Sequence, residues 1–148
     1  MKNLKKIISV TAAAAMVMST VAPVSVFADD ATFKIGGIGP VTGAAAIYGQ
    51  AVKNATELAI NEVNEDGGIN GYQVEFRFED DEHDAEKSVN AYNTLKDWGM
   101  QMLMGTVTST PCTAVVAKTA EDNMFQLTPS GSAVESIAQP NAFRVCFS

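Results

Sequence analysis

The stretch KIGGIGPVTGAAAIYG, Lys34–Gly49, carries the strongest signal of fold class in the chain. A short apolar run gives way to a burst of glycines, and a helix-prone segment follows at once. In a protein of alternating strands and helices, this is how a buried strand feeds a tight turn and then a crossover helix. A dinucleotide loop has the same outline but needs the spacing G-x-G-x-x-G. Gly37-Ile38-Gly39 opens that pattern, yet the next glycine, Gly43, comes one residue late and Pro40 interrupts the turn. A Walker phosphate loop is excluded because no Gly-Lys-Ser/Thr follows.

Within and around this stretch, Thr32–Ile38 reads as the first strand. Ala44–Asp66 reads as a long helix, with Tyr48, Val52, Ala55, Ala59 and Val63 at roughly helical spacing and Gly67-Gly68 as its stop. Asn70-Gly71 is a tight-turn signal. Tyr72–Glu79 alternates Val74, Phe76 and Phe78 with polar residues, as a strand does. Asp84–Trp98 reads as a second helix and Met100–Met104 as a short buried strand. Pro111–Asp122 reads as a third helix, with Thr110 as its N-cap. Met124–Thr128 and Ala142–Phe147 complete a set of five strands, and Trp98 and the methionines are assigned to the core. Strands alternating with helices predict an α/β fold, a parallel sheet with helices on both faces.

The N-terminus reads separately. Lys2, Lys5 and Lys6 precede the apolar run Ile7–Val21, and Val26-Phe27-Ala28 supplies a small-x-small ending. This is the pattern of a cleaved secretory signal peptide over residues 1–28. The run is Ala-rich, interrupted by Ser and Thr, and shorter than the ~20 residues a spanning helix needs. No cysteine near the cleavage point supports lipid attachment, so the product is expected to be periplasmic or extracellular. Residues 29–148 then form one domain of modest size. The whole chain has 17 Asp and Glu against 10 Lys and Arg, and loss of the signal lysines makes it more acidic still. Nucleic acid and anionic membrane surfaces are therefore poor partners. Export permits a disulfide between Cys112 and Cys146, but one pair of cysteines does not establish it.

In an open parallel sheet, ligands collect beyond the carboxyl ends of the strands. Three segments emerge there: GPVTGAAAIYG, GTVTSTPC and TPSGSA. All are rich in Gly, Ser and Thr, which supply free backbone N–H groups and hydroxyls. The helices that follow add the partial positive charge of their N-termini. This chemistry suits a small anionic group such as a carboxylate. The acidic run DDEHDAE, Asp80–Glu86, could bind a metal, but it equally suits the end of a strand and the N-terminus of a helix, where carboxylates are favoured. Asp80 or Asp81 could hold a ribose, which keeps the dinucleotide alternative open, although nicotinamide cofactors are scarce outside the cytoplasm. The serines lack a G-x-S-x-G elbow, and His83 is the one histidine.

Taken in order, these segments resemble the extracytoplasmic substrate-binding proteins of ABC transporters for branched-chain amino acids. The family's G-P-x-T/S-G…Y/W-G is matched by Gly39-Pro40-Val41-Thr42-Gly43 and Tyr48-Gly49, and its G-G-I-x-G turn by Gly67–Gly71. Asp80-Asp81 matches an Asp pair after strand two, and Gly105–Ser109 a Gly-x-x-x-Ser loop. Thr128–Ser132 matches T/S-P-x-x-T/S, and Phe143-Arg144 a common F-R. Each motif is weak alone; their order and spacing across the whole of residues 29–148 are specific.

The resemblance implies the first part of lobe one of a two-lobed type 1 periplasmic-binding-protein fold. It implies a protein that captures a small amino acid and delivers it to an ABC transporter permease, acting as a monomer when complete, with no catalysis and no cofactor. It implies that the Ser109 hydroxyl and the Ser132 N–H take the ligand carboxylate. The Ser132 hydroxyl and the Ser130 carbonyl would take its ammonium, and Tyr48 would line the side-chain pocket. Some family members carry a disulfide whose positions correspond to His83 and Thr108, so that bridge is absent here. Ser132 stands where a threonine is more usual. Two other classes stay open: a ligand-sensing domain with the same lobe architecture, and a secreted α/β enzyme.

Overall fold

The structure is a computed structural model that describes residues 32–147; the expected signal peptide lies outside them. The described residues belong to one compact unit, Ala31–Ser148. Its elements run β1 (Phe33–Gly39), α1 (Ala46–Glu65), β2 (Val74–Asp80), α2 (Ala85–Asp97), β3 (Met102–Gly105), α3 (Ser109–Glu121), β4 (Gln126–Thr128), a 3-10 turn (Val134–Ile137) and β5 (Ala142–Arg144). The strands form one sheet in the order β2-β1-β3-β4-β5, parallel throughout. The α/β reading of the sequence holds in every strand and helix.

The two faces of the sheet are covered differently. Ile38 and Leu103 meet Ala91, Tyr92 and Leu95 of α2 and Val115 of α3 in the main core, with Met100 beside them and Trp98 and Met124 packed at its edge. Tyr92 anchors this layer by donating its hydroxyl to Asp122 at 2.8 Å; Lys96 pairs with the same carboxylate at 2.5 Å. α1 lies on the opposite face. Its stripe of Val52, Ala55, Ala59 and Val63 borders an apolar groove of about 470 Å³, floored by Ile35, Met104 and Leu127.

Several boundaries differ from expectation: α1, β2, β3 and β4 each begin two residues later, at Ala46, Val74, Met102 and Gln126. Helix α3 begins at Ser109, with Thr108 as N-cap, and not at Pro111 behind Thr110. Pro111 is therefore the third helical residue; it is still inside the first turn, where a missing N–H costs no helical hydrogen bond. β5 stops at Arg144, and the 3-10 turn between β4 and β5 has no periodic signature in the sequence. Asn70-Gly71 does form its turn: Asn70 and Gly71 have φ of 53° and 86°, and Ile69 and Tyr72 exchange both backbone hydrogen bonds at 2.9 and 3.0 Å.

The opening stretch owes its last glycine to packing. Gly49 is buried in the first turns of α1, and a Cβ there would run into the backbone carbonyl of Pro40. The glycine lets α1 descend onto the turn that precedes it, so Tyr48 beside it emerges at the strand ends with 63% of its surface exposed. Tyr48 thus leaves the apolar stripe in which its spacing had placed it.

Candidate functional site

β1 sits between β2 and β3, and the helices leaving β1 and β3 pack on opposite faces. Their loops therefore part above the strand ends, and such a switch point opens a crevice. A pocket of about 490 Å³ lies there. Tyr48 reaches it from the β1–α1 loop, His83 from the β2–α2 turn, and Thr108, Ser109 and Thr110 from the start of α3. Ser130 and Ser132 come from the segment after β4, and Cys146 and Phe147 from beyond β5. The four residues singled out in the sequence, Tyr48, Ser109, Ser130 and Ser132, are all brought to this one cleft. His83, Thr108 and Phe147 line it too and were not anticipated there.

The N-terminus of α3 is open for a local chemical reason. Thr108 has the extended backbone of an N-cap, φ −112° and ψ 151°, yet its side chain makes no capping hydrogen bond. A cap oxygen ordinarily accepts from the second or third helical N–H, and the third residue, Pro111, has none. The Thr108 hydroxyl instead meets Nδ1 of His83 at 2.8 Å. The N–H groups of Ser109 and Thr110 have no acceptor within the helix, at the end where the macrodipole favours an anion.

The segment after β4 is stitched to this helix start. The hydroxyl of Thr128 donates to the Thr106 carbonyl at 2.7 Å and accepts from the Gly131 N–H at 2.9 Å. Ser130 donates its hydroxyl to the Val107 carbonyl at 2.6 Å, which leaves its own carbonyl as the group available to a ligand. The Ala133 N–H donates to the Ser109 hydroxyl at 3.2 Å. Arg144 donates from Nη1 to the carbonyls of Ser132 and Ala133, at 2.7 and 3.3 Å. In the sequence Arg144 was only half of a matching dipeptide; its partners lie 11 and 12 residues away, and no spacing rule points to them.

The acidic run divides its labour. Asp80 accepts from the Val41 N–H at 2.9 Å, the Thr42 hydroxyl at 2.5 Å and the Glu82 N–H at 2.9 Å, so it clamps the β1–α1 loop. Partial burial alone would push its carboxyl up, but these hydrogen bonds outweigh that and hold it below the usual carboxylate value. Asp81 is fully buried. One oxygen accepts from the His83 N–H at 2.9 Å, while Oδ2 has no partner. Burial pushes its pKa up to about 6, and the His83 N–H offsets this only in part. Asp84 caps α2 by accepting from the Lys87 N–H at 2.8 Å. Both cysteines are free: Cys112 is buried and Cys146 half-buried.

A family model described as periplasmic binding protein matches residues 32–148. Leu/Ile/Val-binding protein homolog 3 of Brucella melitensis is 32% identical over 146 residues, covering 97% of this chain and 38% of that protein. The leucine-, isoleucine-, valine-, threonine- and alanine-binding protein of Pseudomonas aeruginosa is 34% identical over 122 residues, 82% of this chain and 32% of its own length. Among solved structures, the branched-chain amino acid transporter substrate binding protein LivJ of Streptococcus pneumoniae, in complex with isoleucine, superposes with a TM-score of 0.75. It is 27% identical, over 80% of this chain and 34% of that one. The chain spans about a third of the length of the curated relatives it matches.

Proposed function

This chain belongs to the periplasmic binding protein family, and on that premise we propose that it captures a small amino acid of the branched-chain type outside the cytoplasm and delivers it to an ABC transporter permease. It is a binding protein and not an enzyme. The observation that carries this reading is the uncapped N-terminus of α3, tied through Ser109 to the segment that bears Ser132. The ligand carboxylate sits against the Ser109 hydroxyl, the first-turn N–H groups and the N–H of Ser132. The ammonium takes the Ser130 carbonyl and the Ser132 hydroxyl, and the aliphatic side chain lies toward Tyr48 and Phe147.

Ligand on this wall alone is desolvated on one side. Affinity of the isolated chain is therefore expected to be weak, on the order of millimolar, because ordering costs are met by half the contacts. In a protein of the relatives' length, further chain supplies the facing wall and raises the affinity on closure.

The test is an amide-resolved NMR titration of the purified chain with leucine, isoleucine and valine. Progressive shifts at Ser109, Thr110, Ser132 and Ala133 are expected. Shifts confined to the apolar groove beside α1, or none at all at tens of millimolar ligand, would contradict the proposal.

A further inference from the structure

Thr108 holds a cap position but makes no capping hydrogen bond: the third helical residue, Pro111, offers no N–H, and the N–H of the second, Thr110, is left free. Its hydroxyl is spent across the cleft on His83, 25 residues away, at 2.8 Å from Nδ1. The turn carrying His83 is held by other groups. Asp80 accepts from the Glu82 N–H, Asp81 accepts from the His83 N–H, and the Asp81 carbonyl accepts from the Asp84 N–H at 2.8 Å. Glu82 also pairs with Lys87 at 2.7 Å. These contacts hold Glu82 and His83 in the left-handed region, φ 49° and 63°. The imidazole is exposed, so it contributes a directed hydrogen bond and little buried surface.

We propose that His83 is a positioning residue for the amino-acid wall: its imidazole holds the Thr108 hydroxyl, and through Thr108 sets the Ser109 hydroxyl and the first-turn N–H groups of α3 against the ligand carboxylate. This rests on the solute-binding reading above. The tie joins the β2–α2 turn, anchored by Asp80 to the β1–α1 loop, to the helix start that the Ser132 segment already braces from the other side. Ser109 is thereby held between two loops.

Three variants separate the tie from the backbone strain beneath it. Asparagine and glycine both accept a φ of 63°, but only H83N keeps a hydrogen-bonding atom near the place of Nδ1. T108V keeps the shape of the side chain and removes the hydroxyl, without costing a cap bond. Isoleucine titrations, followed at the Ser109 and Thr110 amides, should show H83N binding within about twofold of the parent chain. H83G and T108V should each bind about fivefold more weakly, the loss of one hydrogen bond. The H83G/T108V double variant should be no weaker than either single one. Parent-like binding by H83G, or losses that multiply in the double variant, would overturn the tie. If isoleucine shifts nothing in the parent chain, the solute reading has failed, and the same cycle is read on thermal unfolding without ligand. Non-additive midpoints with H83N restored to the parent value uphold the tie; additive midpoints overturn it.

Discussion

The N–H of Ala133 donates to the hydroxyl of Ser109 across two loops, at 3.2 Å. Because the Ser109 oxygen is already an acceptor there, its own proton is left to donate outward. A serine in that state is suited to a carboxylate, and it also makes the two loops one unit. Replacing Ser109 with alanine removes the outward donor and strands the Ala133 N–H. Ser109→Ala is expected to weaken leucine binding about tenfold while lowering stability by about 1 kcal/mol. Paired ligand titration and urea unfolding check this, and a stability loss with leucine binding left at the parent value would mean that the residue only braces the loops.

Arg144 fixes the other side of the site through the carbonyls of Ser132 and Ala133. Arg144→Ala is expected to raise hydrogen-exchange rates in the segment after β4 severalfold and to weaken ligand binding. Lysine can present one point charge but not the planar fork, so Arg144→Lys should recover part of the effect. Unchanged exchange in the alanine variant would remove Arg144 from the site's support.

Asp81 makes stability depend on pH in a direction opposite to that of a paired carboxylate. Its pKa in the fold is about 6 against a usual 3.8. The folded chain therefore holds this proton more tightly than the unfolded chain. Its contribution is full below about 4 and is lost as pH rises through about 6. Asp80 and Asp122, whose pKa values are lowered, act the other way: they stabilise above the unfolded value and cease to do so in acid. Asp81→Asn is expected to raise stability at pH 7.5 by on the order of 2 kcal/mol and to change it little at pH 4.5. Melting curves at the two pH values decide; a gain of equal size at both would show that the carboxyl is not strained by its burial.

Gly49 tests the packing of α1. By helix propensity alone, Gly49→Ala should stabilise by about 1 kcal/mol. The Pro40 carbonyl occupies the space the methyl group needs, so a net loss on the order of 2 kcal/mol is expected instead. Urea unfolding measures the sign directly.

Much of the fold was legible because it rests on local signals. The alternation of apolar runs with helical stripes gave five strands and three helices, and Asn70-Gly71 and Gly67-Gly68 marked their turns. The Ser/Thr-rich loops after β1, β3 and β4 were placed at the strand ends, and the topology gathers Tyr48, Ser109, Ser130 and Ser132 there. What stayed hidden depends on contacts between distant loops. The start of α3 was misplaced because Pro111 reads well as a first helical residue, and the displaced cap is intelligible only once His83 is seen beside Thr108. Arg144 likewise acquires a role only when the sheet brings β5 under the Ser132 segment. By sequence Tyr48 fits both an apolar stripe and the mouth of a cleft; the close descent of α1 at Gly49 brings it to the pocket at the strand ends.

In the proposed function the α3 N-terminus with Ser109 and Ser132 holds a carboxylate. The most direct measurement compares leucine with 3-methylbutylamine, which keeps the side chain and the ammonium but lacks the carboxylate, by amide shifts on the purified chain. Leucine is predicted to move the Ser109 and Thr110 amides, and the amine, whose ammonium can still reach Ser132, is predicted to leave those two in place. Equal shifts from both compounds, or none from leucine, would mean that this helix start does not hold a carboxylate.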